Sequence, residues 1–337
     1  MKSQTLNDLG ERRILKDIIP RFVHAAGDDC AIITSKKGRA VVTTDPVPQP
    51  AAKVIGGDDD PYWLGWLLVT INASDIAASG ASPTAFVAAL DLPGEMLVCD
   101  LERLLAGIRD SCQANGIEYV GGNLRESQTI AAVGTAIGYC EAEPLGRIGA
   151  DDRDLLVVIG QPGQFWADAL RIRQGESVDK NTSPVFSPVS QTKLMEMLHG
   201  HELLKCAMDT SDGLAPTLHE LARVNRLSVQ IDLPSMRVAA DFSDVDERSE
   251  RLWMGWGDWT VVAAVAQEHL DEVLMIAGSK CAAIGRFVEG DLGVVLNENG
   301  SKLPLGRLES ERFAPDSWFQ SGIDGYIKLL KELPLPS

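Results

Sequence analysis

The chain has 337 residues, enough for two domains that each bury a core. Hydrophobic residues make up 45% of it, as is ordinary for a globular protein, and its formal net charge at pH 7 is −17. This charge argues against nucleic acid and anionic membranes as partners, because both are polyanions. An acidic protein that binds phosphate groups must offset its own field locally, and divalent cations are the usual means.

The cysteines and the first residues indicate the expected compartment. The six cysteines are scattered and contain no C-x-x-C pair, which argues against a disulfide framework or a zinc site. We therefore expect buried free thiols in a reducing environment. The first residues lack a cationic segment followed by an apolar one, and no apolar stretch reaches membrane-spanning length. These features predict a cytoplasmic protein.

The N-terminal part predicts a helix followed by a hairpin. Apolar residues recur at helical spacing over residues 6–22, and Pro20 marks the end of that helix. A strand over residues 31–34, the turn K-K-G-R and a strand over residues 40–44 come next.

Two aspartates flank this predicted hairpin. Asp29 precedes its first strand and Asp45 follows its second, so antiparallel pairing places both carboxylates at the same end. A cation between them would remove their repulsion, and Thr43 and Thr44 can add hydroxyl or carbonyl oxygens. The alternative is that the aspartates only cap turns. We favour a metal site.

After a loop over residues 49–60, Pro61 begins a helix that leads into V-T-I-N-A-S-D-I-A-A-S-G-A-S-P, residues 69–83. Residues as small as these let another backbone or a ligand approach closely. Asn72, Ser74 and Asp75 lie among them, and polar groups in so tight a setting are costly unless something pairs with them. Asp75 is therefore either a satisfied polar group on a closely packed helix or a metal ligand.

The rest of the first half predicts strands and a helix up to a domain joint over residues 141–150. The elements are a strand over residues 86–92, a helix over 97–112, a strand Y-V that runs into G-G-N, and a strand over 129–139. Gly121 and Gly122 can bring backbone N–H groups close to a phosphate, although most such pairs are simply turns.

The second half predicts an α/β domain. Its strands cover residues 154–160, 227–233, 260–265 and 281–287, and its helices cover 164–173 and 267–277, with others beginning at Ser190 and Leu214. A Ser/Pro loop over residues 177–190 is expected to be mobile or lid-like at most. His199 and His201 are expected at the surface, because their spacing does not place them on one helical face.

The sequence D-T-S-D-G-L stands before the helix at Leu214. Asp209, Ser211 and Asp212 are suitable N-caps, and capping is sufficient to explain any one of them. Two carboxylates and a hydroxyl within four residues exceed what a cap needs, and a helix N-terminus with a metal suits phosphate oxygens.

Three tryptophans lie in or beside an aromatic-glycine turn at residues 255–259. Trp253, Trp256 and Trp259 either pack in the core, which we favour, or frame a ring-shaped ligand.

Seven motifs follow one another over nearly the whole chain. They are G-D-D-C-A (27–31), T-T-D (43–45), N-A-S-D-I-A-A-S-G-A-S-P (72–83), G-G-N (121–123), R-I-G-A (147–150), D-T-S-D-G-L (209–214) and G-W-G-D-W (255–259). With these motifs in this order, the chain resembles the thiamine-monophosphate kinases, within the larger family of AIR synthase-like proteins.

The resemblance implies an α/β (α+β) protein with a two-domain, PurM-like fold. Residues 1–145 would form the N-terminal domain, which binds metal and ATP and whose sheet pairs with a second copy in a homodimer. Residues 146–337 would form a C-terminal α/β domain.

The resemblance also implies the ligands and the residues that bind them. The cofactor is Mg²⁺ and the co-substrate is ATP. Magnesium would be bound by residues matching Asp28, Asp29, Thr43, Thr44, Asp45, Asp75, Asp209 and Asp212. Nucleotide contacts would come from Gly122, Asn123, Arg147 and Ser211.

Three positions differ from the family's pattern. Asn123 stands where the family has an acidic residue, which keeps an oxygen ligand but loses a charge. Ala52 stands where the kinases have a substrate-contacting histidine, and Gly257 where they have a substrate-contacting glutamate. The nucleotide-and-metal half therefore matches, whereas the acceptor half does not.

The resemblance implies that ATP and thiamine phosphate give thiamine diphosphate and ADP. Such a kinase needs no general base, because the second pKa of a phosphate monoester is about 6 and its oxygen is already largely anionic. Two alternatives stay open. One is an ATP-dependent enzyme of the same superfamily that activates another acceptor, such as an amide or a carboxylate, and the other is a nucleotide-binding regulatory protein without turnover.

Overall fold

The computed structural model describes residues 4–9, 13–22, 38–240, 249–308 and 318–336. These residues form two compact units, each with one sheet. The first unit contains the described residues up to Ile76, Ala81–Pro144 and Lys180–Lys193, and the second contains Ala77–Gly80, Leu145–Asp179 and the described residues from Leu194 onwards. The mixed α/β class that the sequence predicts is confirmed. None of the described helices is long and apolar enough to cross a lipid bilayer.

The first unit is built on a four-stranded sheet with strand order β1-β4-β2-β3. Its strands are β1 (Arg39–Pro46), β2 (Ser82–Pro93), β3 (Glu118–Ser127) and β4 (Ala131–Cys140). Strand β4 pairs antiparallel with β1 and β2, whereas β2 and β3 are parallel. The predicted strands over 40–44, 86–92 and 129–139 are therefore confirmed, and β3 continues through the double glycine rather than ending at it.

The helices of the first unit are α1 (Leu6–Leu9), α2 (Ala51–Val54), α3 (Pro61–Ala78) and α4 (Val98–Asn115). Helices α3 and α4 share one apolar core with the sheet. Their backbones are in contact at two glycines. A Cβ at Gly65 would lie 2.1 Å from the Leu104 carbonyl oxygen, and a Cβ at Gly107 would lie 2.0 Å from the Tyr62 carbonyl oxygen. Only glycine at these positions permits so close a crossing.

Two N-terminal predictions are tested only in part. The predicted helix over residues 6–22 is helical over Leu6–Leu9 and, as π and 3-10 turns, over Ile14–Ile18 and Ile19–Arg21. The predicted strand over residues 31–34, with Asp28 and Asp29 before it, lies outside the described residues. The loop over 49–60 contains the short helix α2, which the sequence did not predict.

The second unit contains a seven-stranded sheet with strand order β11-β10-β7-β9-β5-β8-β6. Its strands are β5 (Leu155–Ile159), β6 (Cys206–Asp209), β7 (Ser228–Asp232), β8 (Val261–Val265), β9 (Cys281–Val288), β10 (Gly293–Glu298) and β11 (Ser301–Pro304). Only the β7–β10 pair is parallel. Every residue of β8 is buried, as expected for a strand in the middle of a covered sheet.

Seven described helices follow in the second half of the chain. They are α5 (Gln164–Arg173), α6 (Thr192–Gly200), α7 (Leu214–Asn225), α8 (Leu233–Ala239), α9 (Ser249–Trp253), α10 (Leu270–Ala277) and α11 (Trp318–Lys331). The predicted strands of this half and the helix over 164–173 are confirmed. The predicted helix over 267–277 begins as a 3-10 turn, Gln267–His269, and continues as α10.

The Ser/Pro loop predicted over residues 177–190 is fixed in the first unit from Lys180 onwards, as part of residues 180–193, so the prediction of a mobile or lid-like loop is wrong. The Trp66 indole N–H donates to the Pro188 carbonyl oxygen at 2.7 Å, and the Ser190 hydroxyl donates to Asn115 Oδ1 at 2.6 Å. Phe186 is only 4% exposed and meets the Trp63 ring edge-on, with 5.3 Å between ring centroids. These partners hold the segment along α3 and the end of α4.

Two predictions of whether a single side chain is buried or exposed are wrong, one for His199 and one for Cys99. His199 is buried, with 9% exposure, because its ring packs directly on Gly80. A Cβ at Gly80 would lie only 2.6 Å from that ring. His201 is exposed, as predicted. Among the described cysteines, four are buried free thiols as predicted, whereas Cys99 is exposed. Burial raises the pKa of Cys206 to about 11.

Candidate functional site

Four polar residues of the first unit meet between β1 and α3: Thr43, Asp45, Asn72 and Asp75. We call them the Asp75 cluster. Thr43 Oγ1 donates to Asp75 Oδ2 at 2.5 Å, and the Asp45 backbone N–H donates to Asn72 Oδ1 at 3.1 Å. Asn72 has no exposed surface, and its amide nitrogen donates to the Leu68 carbonyl oxygen at 2.9 Å. The cluster therefore ties the end of β1 to the middle of α3.

Strand alternation decides which β1 residues join the cluster. Thr43 and Asp45 are two residues apart and face α3, whereas Thr44 between them lies on the other face. There the Thr44 hydroxyl donates to the Gly134 carbonyl oxygen at 2.9 Å and accepts from Thr135 Oγ1 at 3.0 Å. The Thr44 hydroxyl is therefore not an oxygen donor of the Asp75 cluster.

Small residues let α3 come this close to the sheet. A Cβ at Gly134 would lie 2.5 Å from Asn72 Nδ2, and one at Gly138 would lie 2.9 Å from the Ile76 side chain. Ala73 and Ile76 have no exposed surface. The close packing predicted for residues 69–83 is confirmed. Asp75 has a hydrogen-bond partner, Thr43, as expected of a satisfied polar group on a closely packed helix.

The donors of the Asp75 cluster fit a hard divalent cation. They are the Asp75 carboxylate, an amide oxygen and a hydroxyl, with Asp45 on the same face of β1, which is the all-oxygen set that Mg²⁺ takes. Oδ1 of Asp75 makes no hydrogen bond or ion pair with the described part of the chain. Among the described residues, no three carboxylate, imidazole or thiol groups form a ready-made metal cage.

Gly122 and Asn123 lie on opposite faces of β3. Gly122 shares a cross-strand row with Asp45, which runs through Gly134 and Ala88. Three strand spacings of about 4.8 Å place their Cα atoms about 14 Å apart, so they do not touch. A Cβ at Gly122 would lie 1.8 Å from the Ala88 carbonyl oxygen, so the β2–β3 pairing by itself requires glycine there. Asn123 is exposed on the open face of the sheet.

In the second unit, Asp209, Ser211 and Asp212 lie in one turn between β6 and α7. Asp209 ends β6 and is 6% exposed, and its carbonyl oxygen accepts from Thr217 Oγ1 at 2.8 Å. The N-cap position of α7 is Gly213, so none of the three residues that the sequence offered as N-caps occupies it.

Gly213 fixes the path of this turn. Its φ is +112°, and a Cβ there would lie 2.9 Å from the Trp256 nitrogen. A side chain at this position would be strained by the backbone and blocked by residues 254–256. The acidic turn is consequently held against the aromatic-glycine turn of the same unit.

Arg147 is positioned by a residue that the sequence did not single out. Asn225, the last residue of α7, accepts the N–H groups of Gly149 and Ala150 at 2.8 and 2.9 Å and donates to the Arg147 carbonyl oxygen at 2.8 Å. The Arg147 side chain is 57% exposed, with a nitrogen 3.9 Å from Glu220 Oε1. No local pattern identifies Asn225, because its partners are more than seventy residues away.

The two positions that differ from the kinases on the acceptor side are both closed to a larger side chain. Ala52 has no exposed surface. Gly257 has a φ of +130°, and a Cβ there would lie 2.2 Å from the ring of Phe165. Phe165 thus fills the space into which a side chain at position 257 would point.

Asp258, next to Gly257, holds the start of α5. Its two carboxylate oxygens accept the N–H groups of Gly163 and Phe165 at 2.7 and 3.0 Å. Burial raises the pKa of Asp258 to about 6, and these two hydrogen bonds act in the opposite direction. Asp258 therefore has a structural role in placing Phe165.

Two of the three tryptophans, Trp253 and Trp256, pack, as the sequence analysis favoured. Trp253 is 1% exposed, and the Trp256 ring lies 5.1 Å from that of Phe165 and 5.9 Å from that of Trp166. Tyr326 stacks on Trp256 at 6.2 Å. These contacts leave Trp256 as part of an aromatic core beside Gly257.

The structure thus assembles the predicted residues in two groups. Thr43, Asp45 and Asp75 come together in the first unit, with the buried Asn72 as a member that the predicted ligand set lacked. Asp209, Ser211 and Asp212 come together in one turn of the second unit.

Comparisons with known proteins cover most of the chain. The family model "AIR synthase related protein, N-terminal domain" matches residues 27–140, and the corresponding C-terminal model matches residues 153–297. The thiamine-monophosphate kinase of Halobacterium salinarum is 30% identical over 309 residues, which are 91% of this chain and 99% of that protein.

Two solved structures show the same fold. A ThiL kinase complexed with AMPPCP and TMP aligns with a TM-score of 0.64 at 23% identity, over 90% of this chain and 97% of that one. The hydrogenase maturation protein HypE in complex with ATP aligns with a TM-score of 0.70 at 20% identity, over 89% and 96% of the two chains.

Proposed function

Because this chain belongs to the AIR synthase-related family and, within it, to the thiamine-monophosphate kinases, we propose that it transfers the terminal phosphoryl group of ATP to thiamine monophosphate. The products are thiamine diphosphate and ADP. The structural observation that supports this most is the Asp75 cluster, where oxygen donors of β1 and α3 converge inside the segment that the N-terminal family model matches.

We assign the magnesium ligands to two groups of residues. In the first unit, Asp45 and Asp75 supply carboxylates, with Asp28 and Asp29 as further ligands outside the described residues. In the second unit, Asp209 and Asp212 have this role. Magnesium, when bound, neutralises phosphate charge and polarises the transferred group. The carboxylates of this chain hold and orient it.

The remaining assigned residues bind the nucleotide's phosphates. Gly122 offers its backbone, Ser211 offers a hydroxyl, and Arg147 offers an exposed guanidinium next to a backbone that Asn225 fixes. Asn123 offers an amide oxygen, which suits the magnesium rather than a phosphate. The Arg147 guanidinium and these hydrogen-bond donors offset the negative charge of the protein at the place where the phosphates bind.

No side chain has to act as a general base. The acceptor's phosphate oxygen is already largely anionic at neutral pH, since the second pKa of a monoester is about 6. That oxygen attacks the γ-phosphorus of ATP, and the bond from this phosphorus to the bridging oxygen of ADP breaks. The contribution of the protein is positioning and charge neutralisation.

The acceptor assignment is tested by product analysis. Incubated with ATP, magnesium and thiamine monophosphate, the protein is expected to release one ADP for each thiamine diphosphate formed, measured by chromatography. Release of free phosphate without thiamine diphosphate would contradict a kinase. It would favour activation of another acceptor, for which the closed positions Ala52 and Gly257 are the supporting observation.

We also propose that the protein is a homodimer joined through the open face of the four-stranded sheet. This face exposes Val42 and Val133, which are 61% and 39% accessible. Light scattering is expected to give twice the chain mass for the wild type and the chain mass for Val42→Glu. A monomeric wild type would contradict the proposal.

A further inference from the structure

A pocket of about 680 Å³ lies on one face of the seven-stranded sheet, and no role above uses it. Its lining comes from β5, β7, β9, β10 and β11, together with the segment before β5 and the start of α8. Ala283 and Gly285 carry little or no side chain, which leaves the depression open. The volume is within the range of small-molecule sites.

The strand register places four polar donor side chains of this pocket, and the Asp232 carboxylate, on the same face. Arg286 pairs directly with Gln230, Gln230 is two residues from Asp232, Asp232 pairs with Asn297, and Asn297 pairs with Lys302. Directly paired residues share a face, as do residues two apart in one strand. Arg286 and Lys302 therefore lie three strand spacings apart and two residues offset along the strands, about 16 Å between Cα atoms, with the two amides and Asp232 between them.

These four side chains have no partner in the described part of the chain. Gln230, Arg286, Asn297 and Lys302 make no side-chain hydrogen bond and no ion pair there. Two guanidinium or ammonium groups and two amides thus offer their donors to whatever enters the pocket. The net charge of the protein is −17, so two cationic side chains that lack an acidic partner among the described residues set this pocket apart from the rest of the surface.

The carboxylates of the pocket are already engaged. Asp232 Oδ2 accepts the backbone N–H and the hydroxyl of Ser235 at 3.0 and 2.5 Å. Asp152 accepts the Glu289 N–H at 2.9 Å and lies 3.4 Å from the Arg153 guanidinium. The donors left to bind a ligand are those of Arg286, Lys302 and the two amides, and three cationic against two anionic side chains give the lining a net charge of +1.

The pocket is separate from the acidic turn of the same unit. Asp209 and the residues after it follow β6, the last strand of the sheet, whereas the pocket extends from β5 to β11, the first strand. Strand β9, which carries Arg286, is three spacings from β6, or about 14 Å, and β7, β10 and β11 lie farther away. A ligand here would not touch Asp209, Ser211 or Asp212.

We propose that this pocket binds the diphosphate group of a small molecule. Arg286 binds one phosphate with its planar fork, Lys302 binds the other from the opposite wall, and the amides of Gln230 and Asn297 donate to the oxygens between them. Arg and Lys are the residues that recognise phosphate in these two ways. A diphosphate is the simplest anion with charge at two points to match two separated cations. The proposal does not depend on the activity of the protein.

Calorimetry with the full chain and inorganic pyrophosphate in EDTA tests this. Without magnesium, the acidic clusters repel the probe, whereas Arg286 and Lys302 attract it. The wild type is expected to bind pyrophosphate at one site, and the variant Arg286→Ala/Lys302→Ala to bind it at least tenfold more weakly. Gln230→Met, which changes no charge, is expected to weaken binding about threefold or more.

The matched control is Lys193→Ala/Lys280→Ala, which removes two exposed cations away from the pocket. Its affinity is expected to stay within about twofold of the wild type, and the circular dichroism of all variants is expected to match the wild type, which shows that they fold. ADP as a second probe distinguishes free pyrophosphate from a nucleotide as the source of the diphosphate. No heat with the wild type, or an equal loss of affinity in the control, would overturn the proposal.

Discussion

Replacing Gly257 tests how the acceptor side of this chain is built. A Cβ at this position would lie 2.2 Å from the Phe165 ring, well inside ordinary contact distance, and the backbone φ is +130°. The unfavourable φ costs about 1–3 kcal/mol, and forcing the ring aside costs about 1–3 kcal/mol more. Gly257→Ala is therefore expected to lower the free energy of unfolding by about 2–6 kcal/mol, a large part of a typical total.

The control separates the two costs. Gly175 has a φ of +85° and open space around its would-be Cβ, so Gly175→Ala is expected to cost only the backbone part, about 1–3 kcal/mol. Urea unfolding measures both. Gly257→Ala combined with Phe165→Ala is expected to cost less than the sum of the single changes, because the two positions touch. If Gly257→Ala is as stable as Gly175→Ala, Phe165 does not close this position.

Two further predictions follow from buried polar groups. The pKa of Asp258 is about 6 in the folded protein and about 3.8 in the unfolded chain, so the folded protein binds the proton more tightly. The contribution of Asp258 to the free energy of unfolding is therefore largest below about pH 4 and falls by about 3 kcal/mol as the pH rises to 6. Asp258→Asn is expected to remove this part of the pH profile of urea unfolding, and an unchanged profile would contradict it. Asn115→Ala leaves the Ser190 hydroxyl without its acceptor, so it is expected to lower the free energy of unfolding by about 1–3 kcal/mol and to expose residues 180–193 to protease. The control Gln113→Ala changes an exposed side chain of the same helix and is expected to do neither. Equal protease resistance of the two variants would show that Asn115 does not anchor the segment.

Much of the fold could be predicted because its signals are local. The apolar run before Gly160 and the helical spacing of residues 164–173 gave β5 and α5, and the small residues of 69–83 gave the close packing of α3. The segment 180–193 was mistaken for a mobile loop because its partners, Trp66 and Asn115, are far away in sequence. His199 was placed at the surface for the same reason, since Gly80 buries it.

The candidate site shows the same limit. Asp45, Asp75, Asp209 and Asp212 were identified from residue type and position at the ends of apolar runs. The amide of Asn72 and the anchoring of Arg147 by Asn225 depend on tertiary contacts. That Gly213, not an aspartate, caps α7 depends on the backbone path and could not be read from D-T-S-D-G-L.

The direct test of the account is magnesium-dependent ATP binding by Asp75→Asn, measured by calorimetry beside the control Asp100→Asn, which changes a half-buried aspartate of α4. Asparagine keeps the size of Asp75 and can still accept from Thr43, so circular dichroism is expected to match the wild type. The account predicts that Asp75→Asn loses at least a hundredfold in affinity for magnesium-ATP and loses turnover, whereas Asp100→Asn retains both. Wild-type affinity and turnover in Asp75→Asn would contradict it.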